Sequence, residues 1–352
     1  MKTTASRRFL GALAAGVIAF GLSACSGESN ESSGSSESTD DSPIKIGLIT
    51  KTETNPFYVA MRDAAEDNAT ELGVELQVFS GRENNDNDSQ VTAVENLISQ
   101  GAQGILITPA DSAAIVPTIQ KARDAGLVVI ALDTPTQPAD AVQATYATDN
   151  FKAGQLIGAW AKASVADPDN ARIALLDQDA NNTSVDVARN QGFLDGFGIE
   201  LADETKNGDE DDARIVGNYA TKSERDEGRT QMEIALQQAP DLNLVYSINE
   251  VVAAGAYEAM SAAGVADQVT MVSVDGGCDG VQMIADGKLQ ATAMQFPSKM
   301  ATEGMQAIVD AIKSGAEITE SSVDTGAVLV TDQPVDGLES QDSVWGLENC
   351  WG

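Results

Sequence analysis

Two α/β domains, each a doubly wound parallel sheet, are the fold the sequence predicts, and three observations predict it. Short runs of β-branched and aliphatic residues, apolar without a break, alternate with stretches whose apolar residues recur at helical spacing. The alternation stops and restarts after residues 144–147. At 352 residues the chain is long enough for two cores, and one sheet would need too many strands.

Taken in order, residues 44–49 are β-branched and apolar and read as a buried strand. Asn55-Pro56 opens a helix, the amide as N-cap and the proline at the first helical position. Phe57, Met61, Ala65, Ala69 and Leu72 share one face of it, and Gly73 ends it. Strands follow over 74–79, 104–108 and 127–132, separated by helices over 89–100 and 113–125. After the restart, helices are expected over 151–164, 184–197, 225–239, 251–263 and 280–286. They are interleaved with strands over 171–176, 214–219, 244–247 and 270–274. No short repeat is visible within either half.

Histidine is absent, which removes Ser-His-Asp and Cys-His nucleophile systems and every metal motif built on imidazole. Three cysteines cannot form a four-cysteine zinc site. Lys and Arg total 21 against 54 Asp and Glu, for a formal charge of −33, so nucleic acid is a poor partner. Apolar residues at 42% and charged residues at 21% are the balance of a folded chain.

Residues 1–24 read as an export signal: Lys2, Arg7 and Arg8 precede an apolar run over 9–22, too short for a comfortable membrane span. Leu22-Ser23-Ala24-Cys25 resembles a bacterial lipobox, which implies lipidation of Cys25. Residues 26–42 are rich in Ser, Gly and acidic groups and read as a flexible tether, so the expected lipidated segment spans 25–43. Arg7-Arg8-Phe9-Leu10 also hints at twin-arginine export, with imperfect spacing.

Ligands of doubly wound sheets sit beyond the carboxyl ends of the strands. Those places hold residues 52–58, Asp133-Thr134, residues 177–182, Tyr219, Asn249, Asp275 and Gln295. Asp275-Gly276-Gly277 lacks the further glycine of a phosphate loop, and no Gly-Lys-Ser/Thr exists, so nucleotide binding is not expected. Amides, carboxylates and a guanidinium bridge vicinal hydroxyls, and aromatic faces cover a sugar ring, so the set suits a neutral polyhydroxylated ligand.

Thr54-Asn55-Pro56-Phe57-Tyr58, Thr108-Pro109-Ala110-Asp111-Ser112, Leu132-Asp133-Thr134-Pro135 and Thr148-Asp149-Asn150 resemble the sugar-binding proteins of ABC importers, in the ribose-binding-like group. Val274-Asp275-Gly276-Gly277-Cys278 and Gln295-Phe296-Pro297 extend the likeness from residue 44 onward. With Asn349-Cys350-Trp351-Gly352 the chain resembles the fructose-importer branch in particular.

The resemblance implies the type I periplasmic binding protein fold, with two lobes joined by a three-strand hinge near 147–150, 295–298 and 323–326. The N-terminal lobe is then 44–148 plus 296–324, and the C-terminal lobe 149–295 plus 325–352. It implies that Asn55 bonds a sugar hydroxyl, that Phe57 and Tyr58 wall the ring, and that Asp133, Arg189, Asn249, Asp275 and Gln295 bind hydroxyls. Tyr219 is expected to stack, with a core tyrosine as the alternative, and Asp149 to serve the hinge or cap a helix. Arginine follows the aspartate in ribose-type members; Thr134 stands here, a departure that fits the fructose-like branch. The loop 84–88 is rich in acceptors and open to either ligand contact or calcium, though it lacks EF-hand spacing.

The expected function is capture of a neutral monosaccharide, fructose-like with ribose or mannose as options, for delivery to a permease and its ATPase. The expected form is a monomer, lipid-anchored outside the cytoplasmic membrane or periplasmic, without cofactor or metal. A sugar or autoinducer sensor and a binder of xylitol or inositol are the alternatives. A glycoside hydrolase using Asp133 and Asp275 is formally open, whereas a repressor of this fold would need a basic helix-turn-helix. With Cys25 assigned to lipid, Cys278 and Cys350 remain as an even pair. The resemblance places cysteines at both positions, so a disulfide pinning the tail 335–352 is expected.

Overall fold

The computed structural model describes residues 43–179 and 183–352. Residues 1–42, on which the expected export signal, the expected lipidation site Cys25 and most of the expected tether fall, and residues 180–182 lie outside them.

The N-terminal lobe opens with β1 (Lys45–Thr50), α1 (Pro56–Leu72), β2 (Glu75–Ser80), α2 (Asn87–Ser99) and β3 (Gly104–Ile107). It continues through α3 (Val116–Asp124), β4 (Val128–Leu132) and β5 (Ala144–Ala147). The chain then builds α4 (Asn150–Ser164), β6 (Ile173–Asp177), α5 (Ser184–Phe197), β7 (Ile215–Ala220), α6 (Arg225–Gln238) and β8 (Leu244–Ser247). After α7 (Glu250–Ala263), β9 (Thr270–Asp275), α8 (Cys278–Ala285) and β10 (Ala291–Met294), it returns to the first lobe with α9 (Pro297–Ser314) and β11 (Ser322–Asp324). It crosses once more to β12 (Val328–Val330) and closes with α10 (Ser343–Asn349).

Two six-stranded sheets result, ordered β11-β5-β4-β3-β1-β2 and β12-β10-β9-β8-β6-β7. Every pairing in the first is parallel. In the second, β12 alone runs antiparallel, against β10. The two doubly wound domains expected from the alternation are therefore present, each covered on both faces. In the first, α1 and α9 share one core with the sheet, and α2 and α3 share the other. In the second, α6, α7 and α8 cover one face, and α4 and α5 the opposite one.

Local chemistry accounts for the ends that matter. Asn55 Oδ1 accepts from the Phe57 amide at 2.9 Å, Pro56 fills the first helical position, and Gly73 closes α1 in the left-handed conformation. Asp149 caps α4 by accepting from the Lys152 amide at 3.0 Å. The pairing of α4 with α5 is unusually close because Gly154, Gly158, Gly192 and Gly196 face backbone of the opposing helix, where a Cβ would collide. That fixes the height of α5, and so of Arg189.

The passages between sheets after β5 and after β11 lie side by side. Asp149 N donates to Asp324 Oδ1 at 3.1 Å, Thr148 Oγ1 to the Gly326 carbonyl at 3.2 Å and Thr325 N to the Ala147 carbonyl at 2.9 Å.

Candidate functional site

The carboxyl ends of both sheets face one cavity. From the first lobe it is lined by Lys51, Asn55, Phe57, Tyr58, Asn84 and Asp133, and from the second by Gln178, Val185, Arg189, Ser223, Ile248, Asn249 and Asp275, with Gln295 between β10 and α9. Lys51 follows β1, Asp133 follows β4, Gln178 follows β6, Asn249 lies just beyond β8, and Asp275 ends β9. The lips touch on the far side. Asn84 Nδ2 donates to the Lys222 carbonyl at 3.1 Å, Ser112 and Ser184 hydroxyls meet at 2.9 Å, and Ser184 Oγ donates to the Pro135 carbonyl at 3.0 Å.

Arg189 is the charged centre. Nε donates to Asn150 Oδ1 at 2.7 Å and Nη1 to the Ile248 carbonyl at 2.9 Å, so its own lobe aims it. Nη1 then lies 3.6 Å from Asp275 Oδ1 and Nη2 4.0 Å from Asp133 Oδ1, one carboxylate from each lobe. All three side chains are almost fully buried. Lys51 Nζ donates to Thr134 Oγ1 at 2.8 Å, and that hydroxyl donates to Asp133 Oδ2 at 2.7 Å. Burial pulls the Lys51 ammonium down, while Asp133 pushes it back up. Burial raises Asp275 to about 6 against the pull of Arg189, and holds the Tyr58 hydroxyl well above its ordinary value. Tyr58 is therefore a neutral donor. Its ring meets Phe57 edge-on at 5.2 Å.

Gln295 Nε2 donates to Asp275 Oδ1 at 2.7 Å, while Gln295 Oε1 is buried without a partner among the described residues. A buried acceptor left unpaired in a polar cavity marks a place for a donor. The backbone carries the same signal. Among the described residues, the non-glycine positions with positive φ are Asp133 (62°), Lys222 (55°), Ser223 (58°) and Asp275 (146°), and every one borders the cavity or its lip. Strain concentrated in this way costs stability and persists where geometry has a use.

Of the residues named from the sequence, Asn55, Phe57, Tyr58, Asp133, Arg189, Asn249, Asp275 and Gln295 line the cavity together. Thr134 stands behind Asp133. Tyr219 stands elsewhere: its ring lies in the core under α6 and its hydroxyl donates to Gln238 Oε1 at 2.8 Å, so the structure gives the core tyrosine rather than the stacking one. The reason is that β7 runs on to Ala220, and the chain reaches the cavity only at Ser223. The loop 84–88 sends Asn84 to the cavity, whereas Asp86 accepts from Arg82 and Ser89 and caps α2. Lys51 and Ser223 were not singled out, and neither was Glu250. This last carboxylate accepts from the amides of Gly276 (2.8 Å) and Gly277 (2.9 Å) and from Thr292 Oγ1 (2.6 Å), holding the turn after Asp275.

Cys278 and Cys350 form a disulfide, with Cα atoms 5.0 Å apart.

A model of the periplasmic binding protein domain matches residues 46–317. The chain belongs to the periplasmic binding protein family. As such it is a binding protein, not an enzyme, and its two lobes are those of that fold. This periplasmic binding protein is 31% identical over 295 residues to the ribose import binding protein of Bacillus subtilis, covering 82% of this chain and 90% of the relative. It is 31% identical over 345 residues to the D-ribose/D-allose-binding protein of Pseudomonas aeruginosa, covering 94% and 99%. Among solved structures it is similar to a Caulobacter myo-inositol binding protein bound to myo-inositol, at TM-score 0.73 and 26% identity, covering 83% of this chain and 94% of the other.

Proposed function

We propose that this periplasmic binding protein is the sugar-capturing component of an ABC importer, closing on a neutral monosaccharide and delivering it to a membrane permease. The observation that carries the reading is the shared cavity, in which Asp133 and Asp275 from opposite lobes flank one guanidinium beside the unpaired Gln295 Oε1. Two carboxylates, Arg189, and the amides of Asn55, Asn249 and Gln295 supply both acceptors and donors for ring hydroxyls. Phe57 and Tyr58 supply the apolar wall. Sugar closes the lobes about the three passages, because each lobe holds part of the set.

For the ligand itself we propose a fructose-like monosaccharide, with ribose or mannose next. Thr134 supports it: where ribose-type members carry arginine, this chain has a hydroxyl that accepts from Lys51 and donates to Asp133. A cyclic polyol is the second reading, favoured by the likeness to a myo-inositol-bound structure. We also propose export over 1–24 and a lipid anchor at Cys25, supported by the lipobox-like Leu22-Ser23-Ala24-Cys25.

A thermal-shift screen over fructose, ribose, allose, mannose, xylitol and myo-inositol tests the reading. A ligand at 100 times its dissociation constant adds about 2.7 kcal/mol of stability. Compaction in small-angle scattering accompanies the hit. A flat screen, confirmed flat by calorimetry, removes the sugar; binding without compaction removes the closure.

A further inference from the structure

The residue after the disulfide makes contacts the binding set does not need. Trp351 follows Cys350, which is bonded to Cys278 at the start of α8 in the second lobe. Its carbonyl accepts from the Cys278 amide at 3.0 Å, and Gly277 pairs with it as a single bridge. Gly277 has reason to be glycine, since a Cβ would sit 3.3 Å from the Trp351 ring. Backbone and disulfide thus hold this tryptophan to the second lobe.

Its side chain goes elsewhere. The indole Nε1 donates to the Gln295 carbonyl at 2.8 Å, on the passage between lobes. The ring meets Phe57 edge-on at 5.4 Å and packs with the core of the first lobe. Gly352 lies close enough to Pro56 for a Cβ to touch it at 3.2 Å. One residue therefore touches Phe57 in one lobe, the Cys278 turn in the other, and the peptide of Gln295 between them.

We infer that Trp351 is a positioning residue, a disulfide-held wedge at the hinge that fixes the Phe57 ring and the angle at which the lobes meet. Phe57 and Tyr58 are packed edge to face, so a push on one ring is felt by the other. Gln295 carries the contact on to Asp275 through its side-chain amide. One face of α10 is anchored, through Ser343 bonded to Asp332 and Trp345 packed on the second core, while Val344 and Leu347 stay exposed; the disulfide extends that anchorage to Trp351. A covalent tie to α8 keeps the indole at high effective concentration beside Phe57.

The wedge stands on these contacts alone, while its effect on affinity rests on the sugar-binding reading, so the test has two arms. In the first, the full ligand-free chain is compared with Trp351→Ala, Trp351→Phe and Cys350→Ser by amide hydrogen exchange. Exchange over residues 57–61 should rise about tenfold in Trp351→Ala and Cys350→Ser, with Trp351→Phe near the parent and α4–α5 unchanged. In the second, dissociation of D-fructose, D-ribose and D-allose is timed by stopped flow. Trp351→Ala should release whichever sugar binds about tenfold faster, with association little changed and Trp351→Phe restoring most of the difference. Exchange changes confined to residues 343–352, or release rates within twofold of the parent, overturn the wedge. A parent that binds none of the three sugars counts against the sugar reading, and the wedge is then judged on exchange.

Discussion

Lys51 holds its ammonium 3.9 Å from Asp133 Oδ2 with both side chains out of solvent, and Thr134 links them through its hydroxyl. The first lobe thus arrives at the cavity with its carboxylate already oriented by its own cation. Arg189, from the second lobe, approaches the other oxygen only at 4.0 Å. Orientation within a lobe and recognition between lobes are separate tasks here.

Lys51→Met should therefore cost about 2–4 kcal/mol of stability, because it leaves a buried carboxylate with one distant cation. Urea unfolding measures it. The double change Lys51→Met/Asp133→Asn should recover part of that loss, since no charge is then stranded. A single substitution that leaves the urea midpoint unmoved contradicts the pair's role.

Asp275→Gly separates stability from binding. Its φ of 146° is one a side chain rarely adopts, and glycine relieves about 1 kcal/mol there. The ligand-free midpoint should change little, because that relief offsets the loss of the Gln295 and Arg189 contacts. Affinity should fall by about 2 kcal/mol, roughly 30-fold, because hydroxyl donors lose their acceptor in a dry cavity. Calorimetry showing undiminished affinity would make Asp275 a turn residue only.

Gly192→Ala tests the α4–α5 contact. A Cβ there meets the Phe151 carbonyl, so the helices must part, at a cost of about 2–3 kcal/mol. Because α5 carries Arg189, sugar affinity should fall as well, although Gly192 does not line the cavity. Thermal unfolding and calorimetry on one preparation read both effects.

Stability should also depend on pH in a defined direction. Burial, helped by Asp275, lifts Glu250 to about 8, and burial lifts Asp177 to about 7 although Asn218 and Asn190 pull the other way. In the unfolded chain both titrate near roughly 4. Between these limits the fold keeps protons that the unfolded chain has released. The contribution is full below about pH 4 and fades as pH climbs through 8. The urea midpoint should be higher at pH 5.5 than at pH 8.5. Glu250→Gln should narrow the gap; an unchanged gap assigns it to general charge repulsion instead.

What the sequence made legible follows physical lines. Continuous apolar strands cannot be anything but covered on both faces, so two doubly wound sheets could be read directly. Asn55 announced itself because a capping amide followed by two aromatics exceeds what a helix start requires. Lys51 did not, because a lysine just past a strand reads as solvated, and only its burial against Asp133 and Thr134 shows otherwise. Glu250 was hidden in the same way, as one acidic residue in the first turn of a helix. Tyr219 misled by register. It sits one residue short of the end of β7, with its ring on the face that α6 covers.

The passage of the chain between sheets has a consequence for how the molecule is made. The core under α1 is completed by Met300, Met305 and Ile308 of α9, and β11 borders that sheet. The second sheet waits in turn for β12. On a ribosome, then, the first half of the chain emerges, is followed by nearly all of the second lobe, and still lacks a wall. Neither lobe is a finished folding unit until residues beyond Pro297 have left the exit tunnel. A truncation before that point leaves two incomplete cores rather than one intact lobe. Until late in synthesis, the growing chain is long and unfinished, the state in which chaperones find their substrates.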